Sequence, residues 1–441
     1  MADRIDLLSL PLGQIQEMMA KGAWGDNVPA YRAKQLFEWL HAKYVATFDE
    51  MTNLPKDFRG QLYTRYDIGQ PVAEKVLASR YDDTKKFLFR LWDGHKIESV
   101  LMKYSYGYSV CVSSQVGCRM GCRFCASTLD GLARNLTPGE MLGQVYAVQR
   151  ALEAEGAGGA GHAAASGETA AGTPDVTDGS RSGTPVGETT RKGNAAPGGK
   201  QSGKRDGAGS GSAGKADSAG SGSAGKADSA GPRPEVKAEG KAEGKAPRVS
   251  RVVVMGCGEP LDNIENLIVF LRLLTDAEGF NMGQRSVTVS TCGLPDGIDR
   301  LAAEKLQITL ALSLHAPDDG LRRKLMPVAA AHPLDKTLAA CKRYFQATGR
   351  RVTYEYSLMK GVNDAPAQAM ALAKLLKPYG GHVNLIMHNP VKEREFDRPD
   401  KAKAQRFAQL LEKEGVAVSL RREMGQDVNA ACGQLRRDSG G

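Results

Sequence analysis

The chain has 441 residues, a formal net charge of +9 and eight cysteines. This length predicts two or three domains with a sizeable core, and the positive charge favours a polyanionic partner without identifying it. No window of about 18 uninterrupted apolar residues occurs, and the first residues lack the basic and apolar regions of a secretion signal. We therefore expect a soluble cytoplasmic protein with no membrane partner, whose thiols stay reduced.

The first 105 residues predict two small units. Residues 1–70 favour short helices, and apolar residues recur at helical spacing within 31–40. Residues 86–92 and 97–102 alternate between apolar and polar in the manner of strands. We expect an N-terminal helical accessory domain at 1–70 and a small, separate β-rich module at 71–105 that leads into the main domain.

Three cysteines form a compact motif: Cys118, Cys122 and Cys125, spaced C-x3-C-x2-C. Four thiolates would close a [4Fe–4S] cluster, whereas three leave one iron with an open position for a substrate or cofactor. A structural zinc site normally has two separated ligand pairs, and a disulfide framework does not suit a long chain with few cysteines. The motif therefore favours an iron–sulfur cluster that takes part in chemistry.

A low-complexity block at 155–247 interrupts the chain. It contains no Leu, Ile, Met, Phe, Tyr or Trp, and the ten residues 211–220 recur as 222–231. Such a composition cannot bury enough apolar surface to offset the conformational entropy of the chain. We predict a disordered insertion in a surface loop, and we expect its removal to leave activity largely intact.

The rest of the chain alternates predicted strands and helices. The predicted helices are 138–152, 264–276, 334–348, 365–378 and 399–414, and the predicted strands are 251–255, 286–290, 308–314, 352–358 and 382–387. This alternation indicates a mostly parallel sheet, either open or curled into a partial barrel. In both architectures the functional site lies at the carboxyl ends of the strands.

Polar residues cluster at those predicted strand ends. The first strand is followed by Gly258 and Glu259, and later ends carry Ser290, Ser313 and Asn389. Taken singly, such residues more often cap a helix or satisfy nearby backbone groups. Four successive strand ends of this kind, downstream of the cysteine motif, favour a shared small-molecule site.

The cysteine spacing, with Phe124 before the last cysteine, resembles the signature of the radical S-adenosylmethionine (SAM) superfamily, whose cluster binds SAM at the open iron. Further motifs resemble one family within it, the RlmN/Cfr adenosine methyltransferases, and the RlmN branch in particular. Those motifs are 111–118, Gly258-Glu259-Pro260, 287–293, Ser313-Leu314-His315, 360–364 and 430–435. The resemblance covers nearly the whole chain apart from the insertion.

This resemblance implies an α/β fold with a partial (β/α) barrel at 106–392 and a C-terminal helix and tail at 393–441. It implies methylation of C2 of adenosine 2503 in 23S rRNA and of adenosine 37 in tRNAs. It also implies one [4Fe–4S] cluster on the three cysteines, two SAM molecules consumed per turnover, and an electron donor such as flavodoxin or ferredoxin. We expect the protein to be a monomer.

The resemblance also implies roles for single residues. Cys432 would be the methyl carrier, Cys111 its transient disulfide partner and Glu98 the proton acceptor. The implied SAM contacts are Gly258, Glu259, Ser290, Ser313, Leu314, His315 and Asn389. On their own residue types, Glu98 would be a solvent-facing strand residue and the two cysteines inert buried thiols. No role is assigned to Cys257, Cys292 and Cys341, which we interpret as structural.

Three alternatives stay open from the sequence. The Cfr branch shares these motifs and methylates C8 of the same rRNA adenosine. A non-catalytic iron–sulfur protein that binds RNA would also explain the cysteine motif and the charge. A different radical SAM enzyme, such as a glycyl-radical activator, would leave Cys111 and Cys432 unexplained.

Overall fold

The centre of the fold is a ten-stranded mixed sheet. The computed structural model describes residues 4–24, 28–158 and 247–436. The strands in this part of the chain are β1 Ile5–Asp6, β2 Tyr66–Asp67, β3 Val72–Ala78, β4 Lys85–Arg90, β5 Lys96–Tyr104, β6 Gly107–Val112, β7 Gln115–Gly117, β8 Leu132–Asn135, β9 Val249–Val254, β10 Val287–Thr291, β11 Thr309–Ser313, β12 Thr353–Leu358, β13 His382–Met387 and β14 Ala417–Leu420. The main sheet has the order β14-β13-β12-β11-β10-β9-β6-β5-β4-β3.

The sheet has a parallel part and an antiparallel part. Strands β6 and β9 to β14 pair in parallel and follow one another in chain order, whereas β3 to β6 form an antiparallel meander. A sequential parallel order is that of a (β/α) barrel, and the two edge strands leave this barrel open. The predicted partial barrel is therefore confirmed. The strands of the expected 71–105 module are hydrogen-bonded into this same sheet, so they do not stand apart as a separate module.

The helices lie before and between these strands. They are α1 Leu12–Ala20, α2 Tyr31–Phe37, α3 Lys56–Arg65, α4 Pro138–Gly158, α5 Ile264–Thr275, α6 Pro295–Ala303, α7 Asp319–Leu325, α8 Leu334–Thr348, α9 Pro366–Leu376 and α10 Lys401–Lys413. Helix α5 shows why they form, because Leu267, Leu271 and Leu274 recur at helical spacing and are buried. None of the described helices is long and apolar enough to cross a membrane.

The sequence located most of these elements and missed the short ones. It did not predict α6, α7 or β14, of which α7 and β14 have seven and four residues. Strand β14 lies at a sheet edge, and its residues alternate between exposed and partly buried, so its apolar pattern is weak. The predicted insertion at 155–247 begins too early, because α4 continues to Gly158. Residues 159–246 lie outside the described part of the chain.

The N-terminal helices share one core with the barrel. Leu36 and Leu40 are fully buried in the same apolar cluster as the strands. His41 lies 3.1 Å from the hydroxyl of Tyr146 on α4, and Tyr146 stacks on Phe280 with ring centroids 5.6 Å apart. This packing fixes the first 70 residues against the outer face of the barrel.

Candidate active site

A cavity opens at the carboxyl ends of the parallel strands. It is partly open to solvent, and its walls combine apolar side chains with a few polar groups, as in small-molecule sites. Its lining includes the three motif cysteines together with Gly258, Glu259, Ser290, Ser313, His315 and Cys432.

The three motif cysteines lie on a loop that wraps this cavity. Cys118 and Cys122 are buried and Cys125 is half-buried. Backbone hydrogen bonds hold the loop, from Cys118 N to Gly131 O (3.0 Å) and from Arg123 N to Leu325 O (2.9 Å). Among the described residues, no three histidine, cysteine or acidic side chains are close enough together to hold a single metal ion.

Glu259 joins the ends of two strands. Its carboxylate accepts from Leu261 N (3.0 Å) and from Cys292 N (2.7 Å), and burial raises its pKa. The preceding Gly258 has a φ of 110°, and a Cβ there would lie 2.7 Å from the Ser114 hydroxyl. Only glycine fits this close approach, which places the Glu259 side chain at the cavity wall.

His315 is a neutral side chain in the cavity wall. Its Nδ1 accepts a hydrogen bond from Ser357 N (2.9 Å), so the ring proton resides on Nε2. Burial lowers the pKa of His315 to about 3. Phe124 packs edge-to-face on this ring, with centroids 4.8 Å apart. The aromatic residue of the cysteine motif thus contacts a residue at the end of β11.

Two of the expected SAM contacts lie outside this cavity. Leu314 is fully buried, and its backbone N donates to Glu355 O (3.0 Å). Asn389 lines a second cavity of about 560 Å³, and its Nδ2 donates to the carbonyl of Cys432 (3.3 Å). The structure therefore brings five of the seven expected SAM contacts to the first cavity.

Cys432 lines both cavities and so connects them. Cys111, on β6, lines the second cavity and is buried, and both cysteines are free thiols. Burial, with a smaller contribution from Cys432, raises the pKa of Cys111 to about 12, while Arg421 acts in the opposite direction. Two thiols that are distant in sequence thus share one cavity.

Glu98 is buried, contrary to the solvent-facing position that its residue type favours. Its side chain is 1% exposed and forms an ion pair with Lys86 (2.9 Å). It also accepts a hydrogen bond from Arg436 N (3.0 Å). As the described residues form them, neither cavity has Glu98 in its lining. The structure places it beside the segment that carries Cys432 and behind the cavity wall.

The sequence did not single out several residues of the site. Arg421 lines both cavities and follows β14, a strand too weakly patterned to predict. Interaction with Cys432, and then with Glu355, raises the pKa of Arg421. Cys292 follows β10 and lines the first cavity, so our interpretation of it as purely structural misses its position. We expected functional residues at the carboxyl ends of the strands. Applying that expectation to every residue that follows a strand would have found Cys292.

Comparisons with known proteins agree with this geometry. Residues 5–68 match the ribosomal RNA large subunit methyltransferase N-terminal domain, and residues 228–373 match the radical SAM superfamily. A probable dual-specificity RNA methyltransferase RlmN from Lachnoclostridium phytofermentans is 41% identical over 435 residues, covering 99% of this chain and 95% of that protein. A similar protein from Symbiobacterium thermophilum is 42% identical and covers 92% of this chain and 86% of its own.

The chain belongs to the RlmN family of radical SAM methyltransferases.

A solved structure supports the same placement. A radical SAM methyltransferase from Sphaerobacter thermophilus is 36% identical, covers 98% of this chain and 99% of its own, and superposes with a TM-score of 0.74. As a member of the RlmN family, this protein is a radical SAM RNA methyltransferase. A non-catalytic RNA-binding protein is therefore not the correct reading of the cysteine motif.

Radical SAM enzymes of this kind use an iron–sulfur cluster and SAM, and the residues present fit both. Cysteine thiolates are the usual ligands of iron–sulfur clusters. Cys118, Cys122 and Cys125 line one cavity and would hold the cluster there. Burial raises the pKa of the Cys122 thiol, so a positively charged iron group would be needed to keep it as a thiolate ligand.

Proposed function

We propose that this enzyme methylates C2 of adenosine 2503 in 23S rRNA and of adenosine 37 in tRNAs, with Cys432 as methyl carrier. One observation supports the carrier role above the others. Cys432 lines both the cavity of the cluster cysteines and the cavity that contains Cys111. A carrier must meet the methyl donor in the first cavity and the resolving thiol in the second.

The chemistry of the substrate atom explains why a cysteine carrier is needed. C2 of adenine lies between two ring nitrogens and is electron-poor, so it cannot displace the methyl group of SAM directly. When bound, a [4Fe–4S] cluster on Cys118, Cys122 and Cys125 supplies the electron that cleaves SAM to a 5′-deoxyadenosyl radical. The protein must then present a carbon atom from which that radical can take hydrogen.

Cys432 supplies that carbon atom. As a thiolate, its Sγ takes the methyl group of a first SAM by displacement. The 5′-deoxyadenosyl radical from a second SAM then takes one hydrogen atom from the S-methyl group. The carbon radical left on Cys432 bonds to C2 of the adenine. The RNA is then covalently attached to Cys432. Gly258, Glu259, Ser290, Ser313 and His315 would hold SAM in the first cavity.

Release of the product uses Glu98 and Cys111. The adduct radical returns its unpaired electron to the electron-donor system, and the Glu98 carboxylate takes the C2 proton. The Cys111 thiolate then forms a bond to Sγ of Cys432 as the carbon–sulfur bond breaks, and the released carbon takes a proton from solvent to become the methyl group. An electron donor such as flavodoxin or ferredoxin supplies the electrons for SAM cleavage and for reduction of the disulfide. Because Lys86 and Arg436 bury Glu98, the segment around Cys432 must move before the carboxylate can reach the substrate.

The RNA substrate fits the charge of the chain. A net charge of +9 favours contacts with phosphates, which makes binding sensitive to salt. The target base must be unstacked to enter the cavity, as in single-stranded loops.

Product analysis tests the proposal. The protein is purified without oxygen, its cluster is reconstituted, and rRNA fragments and tRNAs are digested to nucleosides after reaction and separated by chromatography with mass spectrometry. We expect 2-methyladenosine from the wild type and none from Cys432→Ala, whereas Cys341→Ala, which removes a buried thiol on α8, should stay active. Finding 8-methyladenosine alone would assign the Cfr-type reaction, and methylation by Cys432→Ala would refute the carrier role.

A further inference from the structure

One arginine from outside the cysteine motif contacts the loop that the motif forms. Arg394 lies between β13 and α10, 269 residues beyond Cys125 in the sequence. Its Nη2 donates hydrogen bonds to the carbonyl of Cys125 (3.1 Å) and to Oγ1 of Thr128 (2.8 Å). Thr128 Oγ1 in turn donates to the carbonyl of Cys122 (3.0 Å). The guanidinium is therefore joined, directly or through one hydroxyl, to the backbone of two motif cysteines.

The contacts of Arg394 with this loop leave its positive charge uncancelled, because both acceptors are neutral oxygen atoms. Two arginines nearby differ in this respect, since Arg119 pairs with Asp262 and Arg436 pairs with Glu393. The side chain of Arg394 is half-buried, and its Nε is shielded from water without a hydrogen-bond partner among the described residues. A charge in such surroundings is screened less than one at the open surface.

The charges around the motif cysteines are unevenly distributed. The Cys122 thiol interacts through space with the buried carboxylate of Glu259 and with the guanidinium of Arg322, which have opposite charges. The Cys125 thiol interacts through space with Arg394. A cluster held on these cysteines would therefore meet the positive charge of Arg394 at Cys125.

Reduction of an iron–sulfur cluster adds one electron, and so one unit of negative charge, to its site. A nearby cation stabilises this more negative form and so raises the reduction potential, which depends on net charge and on hydrogen bonding near the cluster. An uncharged side chain of the same size would not have this effect. The charge of Arg394 would therefore make the cluster easier to reduce by the electron donor.

We propose that Arg394 is a positioning residue for the cluster, which holds the loop of Cys122 and Cys125 by its hydrogen bonds and raises the reduction potential by its charge. This role rests on the placement of the cluster on the three motif cysteines, which is part of the function proposed above. It does not depend on which RNA atom is methylated.

The reduction potential of the full-length, cluster-loaded enzyme tests this role without SAM or RNA. The enzyme is titrated with dithionite in the absence of oxygen, and the reduced cluster is followed by electron paramagnetic resonance. Arg394→Met removes both the charge and the hydrogen-bond donor, whereas Arg394→Gln keeps an amide donor without the charge. In both variants we expect the equilibrium constant for reduction to fall about tenfold, a shift of about 59 mV to a more negative potential for one electron.

Two further variants separate charge from shape. Arg394→Lys keeps the charge, and its equilibrium constant for reduction should stay within about twofold of the wild type. Lys392→Met is the matched control, because it removes the same charge from an exposed side chain two residues away. We expect this control to have the wild-type potential, since water and salt screen an exposed charge.

The outcomes separate the role of Arg394 from the proposed function. A wild-type potential in Arg394→Gln would overturn the role, and so would equal shifts in Arg394→Gln and Arg394→Lys. If Arg394→Met takes up no iron, Arg394→Gln decides alone. Loss of iron from both uncharged variants but not from Arg394→Lys would support the role, whereas loss from all three would overturn it, because charge would not suffice.

Failure of an iron-loaded wild type to methylate RNA would overturn the proposed function and leave the comparison of potentials valid. A wild type that takes up no iron would overturn the cluster placement and the role of Arg394 with it.

Discussion

The side chain of Asn389 donates a hydrogen bond from Nδ2 to the backbone carbonyl of Cys432, at 3.3 Å. Asn389 follows the end of β13, so this bond joins the barrel to the C-terminal segment. The resemblance to known sequences implied a SAM contact for Asn389. In this structure its amide instead fixes the backbone of the residue proposed to carry the methyl group.

Asn389→Ala should lower RNA methylation about fivefold, because a lost hydrogen bond of roughly 1 kcal/mol leaves Cys432 less well placed. Its stability to urea should change little, since Asn389 lies at the cavity edge. Gln434→Ala is the control, because Gln434 is half-buried and bonds to the Pro390 carbonyl (3.0 Å) and to Ala431 N (3.3 Å), but not to Cys432. An equal loss of rate in both variants would contradict a specific role for Asn389.

Cys111→Ser should accumulate RNA covalently bound to the protein, because serine cannot form the disulfide that frees Cys432. The adduct is measured by denaturing gel electrophoresis with labelled RNA, and we expect free methylated product to fall at least about a hundredfold. A second replacement, Cys432→Ala, should abolish the adduct. Normal turnover by Cys111→Ser would show that another group releases the product.

Arg322→Met should destabilise the fold by about 3 kcal/mol, since several buried carbonyls lose their donor together. Arg322 is fully buried and donates to the carbonyls of Cys292 (2.6 Å) and Leu314 (3.3 Å) at two strand ends. Urea unfolding measures the change. Arg323→Met is the matched control, because Arg323 is the next residue on α7 and is exposed. A similar stability for both variants would refute the role of Arg322.

Asp6→Asn should remove a pH dependence of stability. Burial raises the pKa of Asp6 from 3.8 to about 7, although Ser9 and Thr137 donate hydrogen bonds to it. The folded state binds this proton more tightly than the unfolded state. Protonated Asp6 therefore adds to the free energy of unfolding below about pH 4, and this added stability is lost as the pH rises through about 7. The wild type should therefore lose stability relative to Asp6→Asn between these values. Urea unfolding at several pH values measures this difference, and a constant difference would contradict the assignment.

The sequence by itself determined the chemistry that the site offers. The spacing of Cys118, Cys122 and Cys125 places three thiolates on one short loop in any fold, which is why a local pattern suffices to predict it. Alternating strands and helices put Glu259, Ser290 and Ser313 at one edge of a sheet, because parallel strands all end at the same edge. These inferences need only local spacing and the direction of the strands.

Only the tertiary structure decided which distant residues share a cavity. Cys111 and Cys432 are 321 residues apart in the sequence (432 − 111), and no periodicity relates them. The same holds for Lys86, Glu98 and Arg436. Their contacts form only because the antiparallel meander and the C-terminal segment pack against each other. A side chain is sealed from water by all the elements around it, so the burial of Glu98 and Arg322 follows from packing and not from residue type.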